Sequence, residues 1–378
     1  MEDKHMLMIP GPTPVPEKVL ISLGKHPIGH RSGDFSKVIA EINQNLKWLH
    51  QTKNEVLSLN VSGTGAMEAG MINFLSPGDR VLVGVNGKFG DRWAQICEVF
   101  GLQTERITAE WGTPLDTEEI RNKLEADSNK EIKAVVITHS ETSAGVLNDL
   151  ETINKHVKAH GEALIIVDAV TSLGAYNLPI DEWGLDVVAS GSQKGYMIPP
   201  GMGFISVSDK AWKAYETSKF PRFYMDLGKY KKANAKDSTP FTPPINLMFG
   251  LQTALQMMQR EGLENIFARH TRLTQATRAA ARAIGLELLA PDDAASTAVT
   301  AIKSDDAEAI RKIMRQKYDI ALAGGQDHLK GKIFRIGHLG FISDRDVLMT
   351  LSCLEATLIE LGHDIEPKSG VKAAAALA

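Results

Sequence analysis

The sequence predicts an α/β fold: a large domain on a mostly parallel sheet covered by helices on both faces, then a smaller C-terminal α+β domain. Three observations predict it. Short apolar runs recur between residues 55 and 210: VLSLNV (56–61), RVLVGV (80–85), KAVVITH (133–139), ALIIVDA (163–169), DVVAS (186–190) and GFISVS (203–208). Most are separated by segments of helical spacing, such as TGAMEAGMINFL and WAQICEVFG. Strands apolar on both sides that alternate with helices read as a parallel sheet buried on both faces. After the loop 219–245 the rhythm changes to long helical patterns over 246–285 and then mixed elements.

The elements follow in order. GPTPVP (11–16) is too rich in proline for a helix or an inner strand, so residues 1–20 form an extended arm. Residues 21–255 are assigned to the large domain and 256–378 to the small one. Only a short gap separates DVVAS from GFISVS. A parallel pair needs a crossover helix, so the strand at 203–208 is expected to run antiparallel. The small domain reads as a strand in STAVTAIKS (296–304), a helix from Ala307 to Tyr318, a strand KIFRIGHL (332–339) and a helix from Asp344 to Leu361. The tail KSGVKAAAALA is expected to fray. No internal repeat is visible.

Composition narrows the function. At roughly 150 residues per domain, 378 residues suit two domains. The net charge of −4 gives no basic footprint for nucleic acid or an anionic membrane. The basic stretch KYKKANAK (229–236) reads as a solvated loop. No apolar run reaches the ~18 residues of a membrane span, and the N-terminus lacks a signal-peptide core. The two cysteines, Cys97 and Cys353, build neither a disulfide framework nor a thiolate cluster, and fit a reducing cytoplasm.

In open α/β sheets ligands bind beyond the carboxyl ends of the strands. Three polar features fall there. In SGTGAMEAG (62–70), Gly63 and Gly65 let backbone N–H groups turn inward at the head of a helix, which makes a phosphate cradle; a structural tight turn is the alternative. It matches neither GxGxxG nor a P-loop. Asp168 ends a fully apolar strand, where its pKa should rise unless a cation faces it; capping the next turn beside Thr171 or Ser172 is the alternative. Lys194, one strand later, is hemmed in by Ser, Gly and Pro; a stem lying on apolar surface with its ammonium in water is the alternative. A cradle, a buried anion and a lysine at one sheet edge together fit pyridoxal 5′-phosphate (PLP). The amine meets the aldehyde, the carboxylate keeps the ring nitrogen protonated, and the loop holds the phosphate.

The motifs PGPTPVP, GHRSGDF, SGTGAMEA, NGKFGDR, THSETSAGVLND, VDAVTSLGA, SGSQKG, TPPIN and FRIGHLG follow one another over nearly the whole chain. In this order it resembles the class V aminotransferases of PLP fold type I, particularly the alanine–glyoxylate and serine–glyoxylate enzymes. The resemblance implies a seven-stranded sheet, Lys194 as the Schiff-base lysine and Asp168 as partner of the pyridine nitrogen. It implies Val170 on one ring face, Phe89 on the other where many relatives have Trp, and Thr142 near the phenolic oxygen or phosphate. Thr64, Gly65, Ala66 and Gln193 would line the phosphate, Ala66 standing where some relatives have His. Thr242 would reach the phosphate from the neighbouring subunit of a homodimer, whereas Thr239 stands where some relatives carry Tyr. Arg335 would hold the substrate α-carboxylate, a role that its mid-strand position and bidentate fork also suit.

Strand alternation places His338 on the opposite face from Arg335, in a structural role. His156 and His160, four apart on a helix, read as an exposed polar face rather than a metal pair. The implied reaction moves the amino group of alanine or serine to glyoxylate by ping-pong kinetics. The alternatives are another donor (aspartate, an aminophosphonate or ureidoglycine), a cysteine desulfurase, for which neither cysteine looks placed, and the redox-complex subunit that a soluble-hydrogenase label would imply.

Overall fold

The structure, a computed structural model, describes residues 5–377. Residues 1–4 of the expected arm lie outside the described residues. A seven-stranded sheet runs in the spatial order Val56–Leu59, Gly203–Val207, Val187–Gly191, Leu164–Asp168, Ile132–Thr138, Arg80–Val85, Gln103–Thr108. Gly203–Val207 is antiparallel to both neighbours and every other pairing is parallel, in keeping with the short connection before it. The inner strands are largely apolar because both faces are sealed. Ile165 and Val167 enter one core cluster with Leu82 and Val188, while Leu164 and Ile166 enter the other with Val83 and Val187. Each such side chain contributes about 1.5–3 kcal/mol of burial.

The seventh strand, Gln103–Thr108, is absent from the runs read off the sequence. Its sequence QTERIT is polar because it is an edge, and its charges are used. Arg80 and Lys123 pair with Glu105 at 2.9 and 2.6 Å, and Arg106 pairs with Asp91 at 2.7 Å.

The second sheet has five strands in the order Met6–Met8, Ile320–Gly324, Ile333–Gly337, Val299–Lys303, Glu287–Leu288. The N-terminal segment is therefore a strand of the small sheet at its start, pairing Met6 with Ile320 in parallel, and crosses to the large domain through the proline-rich stretch. The helix Glu17–Leu23 begins within the span assigned to the arm. The long helical region breaks at Gly262, whose φ of +83° separates Ile245–Glu261 from Leu263–Ala283.

Two expectations are corrected. KYKKANAK is not a loop: Leu227–Asn234 is a helix. Asp226 caps it through the Gly228 N–H (3.0 Å), and two lysine ammonium groups lie over aromatic rings, Lys229 on Phe223 (3.5 Å) and Lys231 on Trp212 (4.2 Å). The tail does not fray either. Ser369–Ala375 is a helix packed on Leu263–Ala283 with Gly370 and Ala374 buried. Small residues allow the close approach, and the Glu355 carboxylate accepts the N–H groups of Lys368 (2.7 Å) and Val371 (3.0 Å).

Candidate active site

The sheet brings the two central residues together by register alone. Asp168 is the last residue of its strand and lies opposite Ala189 of the next parallel strand. That strand ends at Gly191, and the turn Ser192–Gln193 delivers Lys194 to the same edge. Both side chains line a cavity of about 310 Å³, within the range of small-molecule sites.

Lys194 is buried, and its Nζ donates to the Pro10 carbonyl at 2.8 Å. Gly11 lies against the lysine stem: a Cβ there would sit 2.7 Å from Cδ, Cε and Nζ. Burial pushes the amine down to about 8; Asp168 pulls it back up, while Arg335 and Arg92 lower it further. Burial pushes the Asp168 carboxyl the other way, to about 6, against the Val170 N–H that bonds its Oδ1 (2.9 Å). Glu141 adds to that rise, and Lys194 and Arg92 oppose it.

The Gly-rich loop is a helix start. Ser62 caps Gly63–Ile72, its Oγ accepting the Gly65 N–H at 3.3 Å, and the Ala66 N–H bonds the Ser62 carbonyl at 3.0 Å. The N–H groups of Gly63 and Thr64 find no acceptor among the described residues, as expected for the first turn. Gly63 and Thr64 line the cavity, whereas Gly65 and Ala66 do not. Ala66 turns its methyl toward Gly203, where a Cβ would meet it at 2.8 Å, and Gly65 packs on Val61. The free N–H groups thus lie at Gly63 and Thr64 and not at Gly65 and Ala66, whose N–H groups bond Ser62.

Phe89, Val170, Thr142 and Gln193 all line the cavity. Thr142 shares a hydrogen bond with Thr171 (Oγ1 to Oγ1, 2.7 Å), and the Gln193 Oε1 is buried without a partner. Two free N–H groups, a buried carboxylate and a buried lysine of lowered pKa fit PLP, whose phosphate takes donors, whose ring nitrogen takes an anion and whose aldehyde takes an amine.

Two expected residues stand outside this wall. Arg335, buried in the strand Ile333–Gly337, donates to the carbonyls of Gly324 (3.0 and 2.7 Å) and Thr142 (2.8 Å), so its fork lies behind Thr142. Burial pushes its pKa down to about 10, with Glu141 restoring part and Arg311 lowering it. Thr242 is exposed and away from its own chain's cavity; its carbonyl accepts Asn60 Nδ2 at 2.9 Å.

Sequence reasoning missed Arg92 and Glu141. Arg92 lines the cavity one turn after Phe89 on the helix Lys88–Val99, a spacing that puts both on one face. Glu141 is fully buried; its Oε2 accepts Phe89 N–H and Gly90 N–H (both 3.0 Å), and its Oε1 accepts Ser143 N–H (3.1 Å) and Ser143 Oγ–H (2.5 Å). Nothing in THSETSAG shows where that carboxylate turns.

Of the histidines, His338 is buried, with Nε2 on Thr300 Oγ1 at 3.0 Å. His160 is buried rather than exposed, a correction: its Nε2 meets Asp127 at 3.1 Å and its Nδ1 accepts the Ala163 N–H at 3.1 Å. Cys97 is sealed in the core and burial pushes its thiol up to about 12, which leaves it inert as a nucleophile.

The family profile described as aminotransferase class-V matches residues 10–337. The soluble hydrogenase 42 kDa subunit of Anabaena cylindrica is 66% identical to this chain over 99% of either protein. The serine–glyoxylate aminotransferase of Methylorubrum extorquens is 37% identical, covering 98% of this chain and 95% of its own. The crystal structure of ureidoglycine–glyoxylate aminotransferase from Bacillus subtilis superposes with a TM-score of 0.93 at 28% identity, covering 100% of this chain and 98% of that one. The fold is that of the PLP fold type I aminotransferases. With the profile spanning most of its length, and a lysine and a carboxylate meeting at the sheet edge, this chain belongs to the class V aminotransferases, a family of PLP-dependent transaminases.

Proposed function

We propose that this enzyme moves the amino group of alanine or serine to glyoxylate, forming glycine and pyruvate or hydroxypyruvate by a ping-pong mechanism. The observation that carries the reading is the pair at the strand ends: a buried amine depressed to about 8 and a buried carboxyl raised to about 6, facing one cavity. Two similar proteins, serine–glyoxylate and ureidoglycine–glyoxylate aminotransferase, carry glyoxylate in their names, and this supports the acceptor.

When bound, PLP supplies an aldehyde for the donor amine and a cationic ring that draws electron density from the substrate Cα. The residues of this chain do the rest. Lys194 Nζ would serve as the base for the substrate Cα proton and as the donor that returns it, roles that require the neutral amine that burial favours. Asp168 holds a proton on the ring nitrogen by pairing its carboxylate with it. Val170 and Phe89 confine the two ring faces. Gly63 N–H, Thr64 N–H and Gln193 would hold the phosphate, with Thr142 beside it. Arg335 takes the substrate carboxylate by exchanging part of its bonds to the Gly324 and Thr142 carbonyls.

Thr242 completes the phosphate site of a partner copy, which makes the enzyme a homodimer. Its exposure on its own chain supports this, as do Leu20 and Ile21, exposed on the helix Glu17–Leu23. No helix among the described residues is long and apolar enough to cross a membrane. The two cysteines are unpaired, which suits the cytoplasm. The hydrogenase name of the Anabaena cylindrica relative finds no thiolate set here, with one of only two cysteines sealed in the core.

The purified protein is expected to form glycine from serine or alanine with glyoxylate, and Lys194→Ala to lose at least about a thousandfold in rate. Glycine formation by the variant at the wild-type rate rejects the mechanism. A donor panel of alanine, serine, aspartate, an aminophosphonate and ureidoglycine, run against glyoxylate, pyruvate and 2-oxoglutarate, decides the substrate pair.

A further inference from the structure

We propose that Arg92 is the cationic ligand of the cofactor's phosphate, the group that makes the site select the phosphorylated cofactor over the free aldehyde. The inference rests on the PLP reading above and adds to it a residue that the motifs did not assign.

Three observations meet at one corner of the cavity. Arg92 Nη1 donates to Thr64 Oγ1 at 3.1 Å, and Thr64 also bears one of the two free N–H groups at the head of the helix Gly63–Ile72. The guanidinium carbon lies 4.9 Å from the centroid of the Phe89 ring, which steadies the fork on the cavity side of its helix. No carboxylate lies within ion-pair distance of Arg92 among the described residues, although its helix is not short of acids. Asp91 and Glu98, flanking it on the same helix, are both taken by Arg106, at 2.7 and 2.9 Å. A half-buried arginine with one neutral partner keeps most of its five donors free.

The charge of the site calls for such a group. The other phosphate ligands, two N–H groups, the Gln193 amide and a threonine, are neutral, while Asp168 places a negative charge at the far end of the ring. Lys194 is committed to the aldehyde. Arg92 is the remaining cation on the cavity wall among the described residues, and its planar fork matches two phosphate oxygens. The same fork would also suit the distal carboxylate of a donor such as aspartate. The contact to Thr64, at the helix head, favours the phosphate.

The test compares PLP with pyridoxal, which lacks only the phosphate. Apoenzyme is titrated with each, following intrinsic fluorescence, for wild type, Arg92→Gln and Arg92→Lys. Arg92→Gln is expected to weaken PLP about 10–100-fold, the size of one lost charge-assisted bond, and to change pyridoxal less than about threefold. Arg92→Lys should fall between, and inorganic phosphate should compete with PLP less well in Arg92→Gln than in wild type. Equal weakening of both ligands, or none of either, overturns the proposal. So does an unchanged PLP affinity with a KM raised for aspartate but not for alanine, which would assign the fork to the donor. Wild type that binds neither ligand overturns the PLP reading itself, an outcome distinct from the others.

Discussion

Asp168 and Lys194 are displaced from their ordinary pKa values in opposite directions by the same cause. Desolvation disfavours whichever form is charged, so it raises the acid to about 6 and lowers the amine to about 8. The sign of each consequence for stability follows. Between about 4 and 6 the folded chain binds more protons at Asp168 than the unfolded one, so this group's contribution falls as pH rises through that window. Between about 8 and 10.5 the unfolded chain binds more protons at Lys194, so that contribution rises with pH there. Asp168→Asn keeps an acceptor for the Val170 N–H and removes the buried charge. It is expected to stabilise the cofactor-free protein by about 2–3 kcal/mol at pH 7–8, with the gain fading below pH ~4, while transamination is lost. Urea unfolding at pH 4 and pH 7.5 measures this. A variant no more stable than wild type at pH 7.5 would show that Asp168 is compensated in the folded chain. Both residues are legible in the sequence because a polar group ending an apolar strand stands out. Arg92 and Glu141 are not, because their significance lies in which atoms they face.

The helix Lys88–Val99 carries both Phe89 and Arg92, and its position depends on a clamp from the loop after the strand Ile132–Thr138. Ser143 Oγ accepts the Lys88 N–H at 2.9 Å, and Glu141 Oε2 accepts the next two. The clamp needs Gly87, where a Cβ would lie 2.2 Å from Glu141 Cγ and Cδ. Every contact of Glu141 in it is a donated hydrogen, so both of its oxygens must accept. Glu141→Gln puts an amide NH₂ against two donors in a buried site. It should cost about 1–3 kcal/mol and speed amide exchange at Phe89 and Gly90. Hydrogen exchange by mass spectrometry on the peptide spanning 86–92 reads this out, and unchanged protection would remove the clamp from the account. The inner strands are visible in sequence because burial on both faces enforces continuous apolarity. The edge strand Gln103–Thr108 and the helix Leu227–Asn234 escape because their side chains meet charges and aromatic rings from elsewhere in the chain.

Across the whole molecule, the segment Met6–Pro10 links the small sheet to Lys194 at the edge of the large one. Met6–Met8 is a strand of the small sheet, Ile9–Pro10 lies tight on Gly337 at the end of the Arg335 strand, and the Pro10 carbonyl accepts Lys194 Nζ. In the proposed mechanism Lys194 leaves that carbonyl, which would couple cofactor binding to the seating of this segment. Thr242 lies away from its own cavity, so in the proposed homodimer it would serve the site of a second copy. Light scattering on the eluted protein should give twice the chain mass, with Thr242→Ala weakening PLP about three- to tenfold. An active species at the mass of one chain would contradict the shared site.

Apolar periodicity and the order of the motifs were sufficient for the alternating architecture, the antiparallel 203–208 strand, and the lysine and aspartate that line one cavity. Those features are local: burial on two faces writes a continuous apolar run, and a functional group at its end interrupts it. Folding alone decided that Gly63 and Thr64 rather than Gly65 and Ala66 line the cavity, that Arg335 stands behind Thr142, that the alanine-rich tail packs, and that Arg92 faces Thr64. Each depends on which partner a hydrogen-bonding group or small side chain meets across the fold, and only the packed chain brings those partners together.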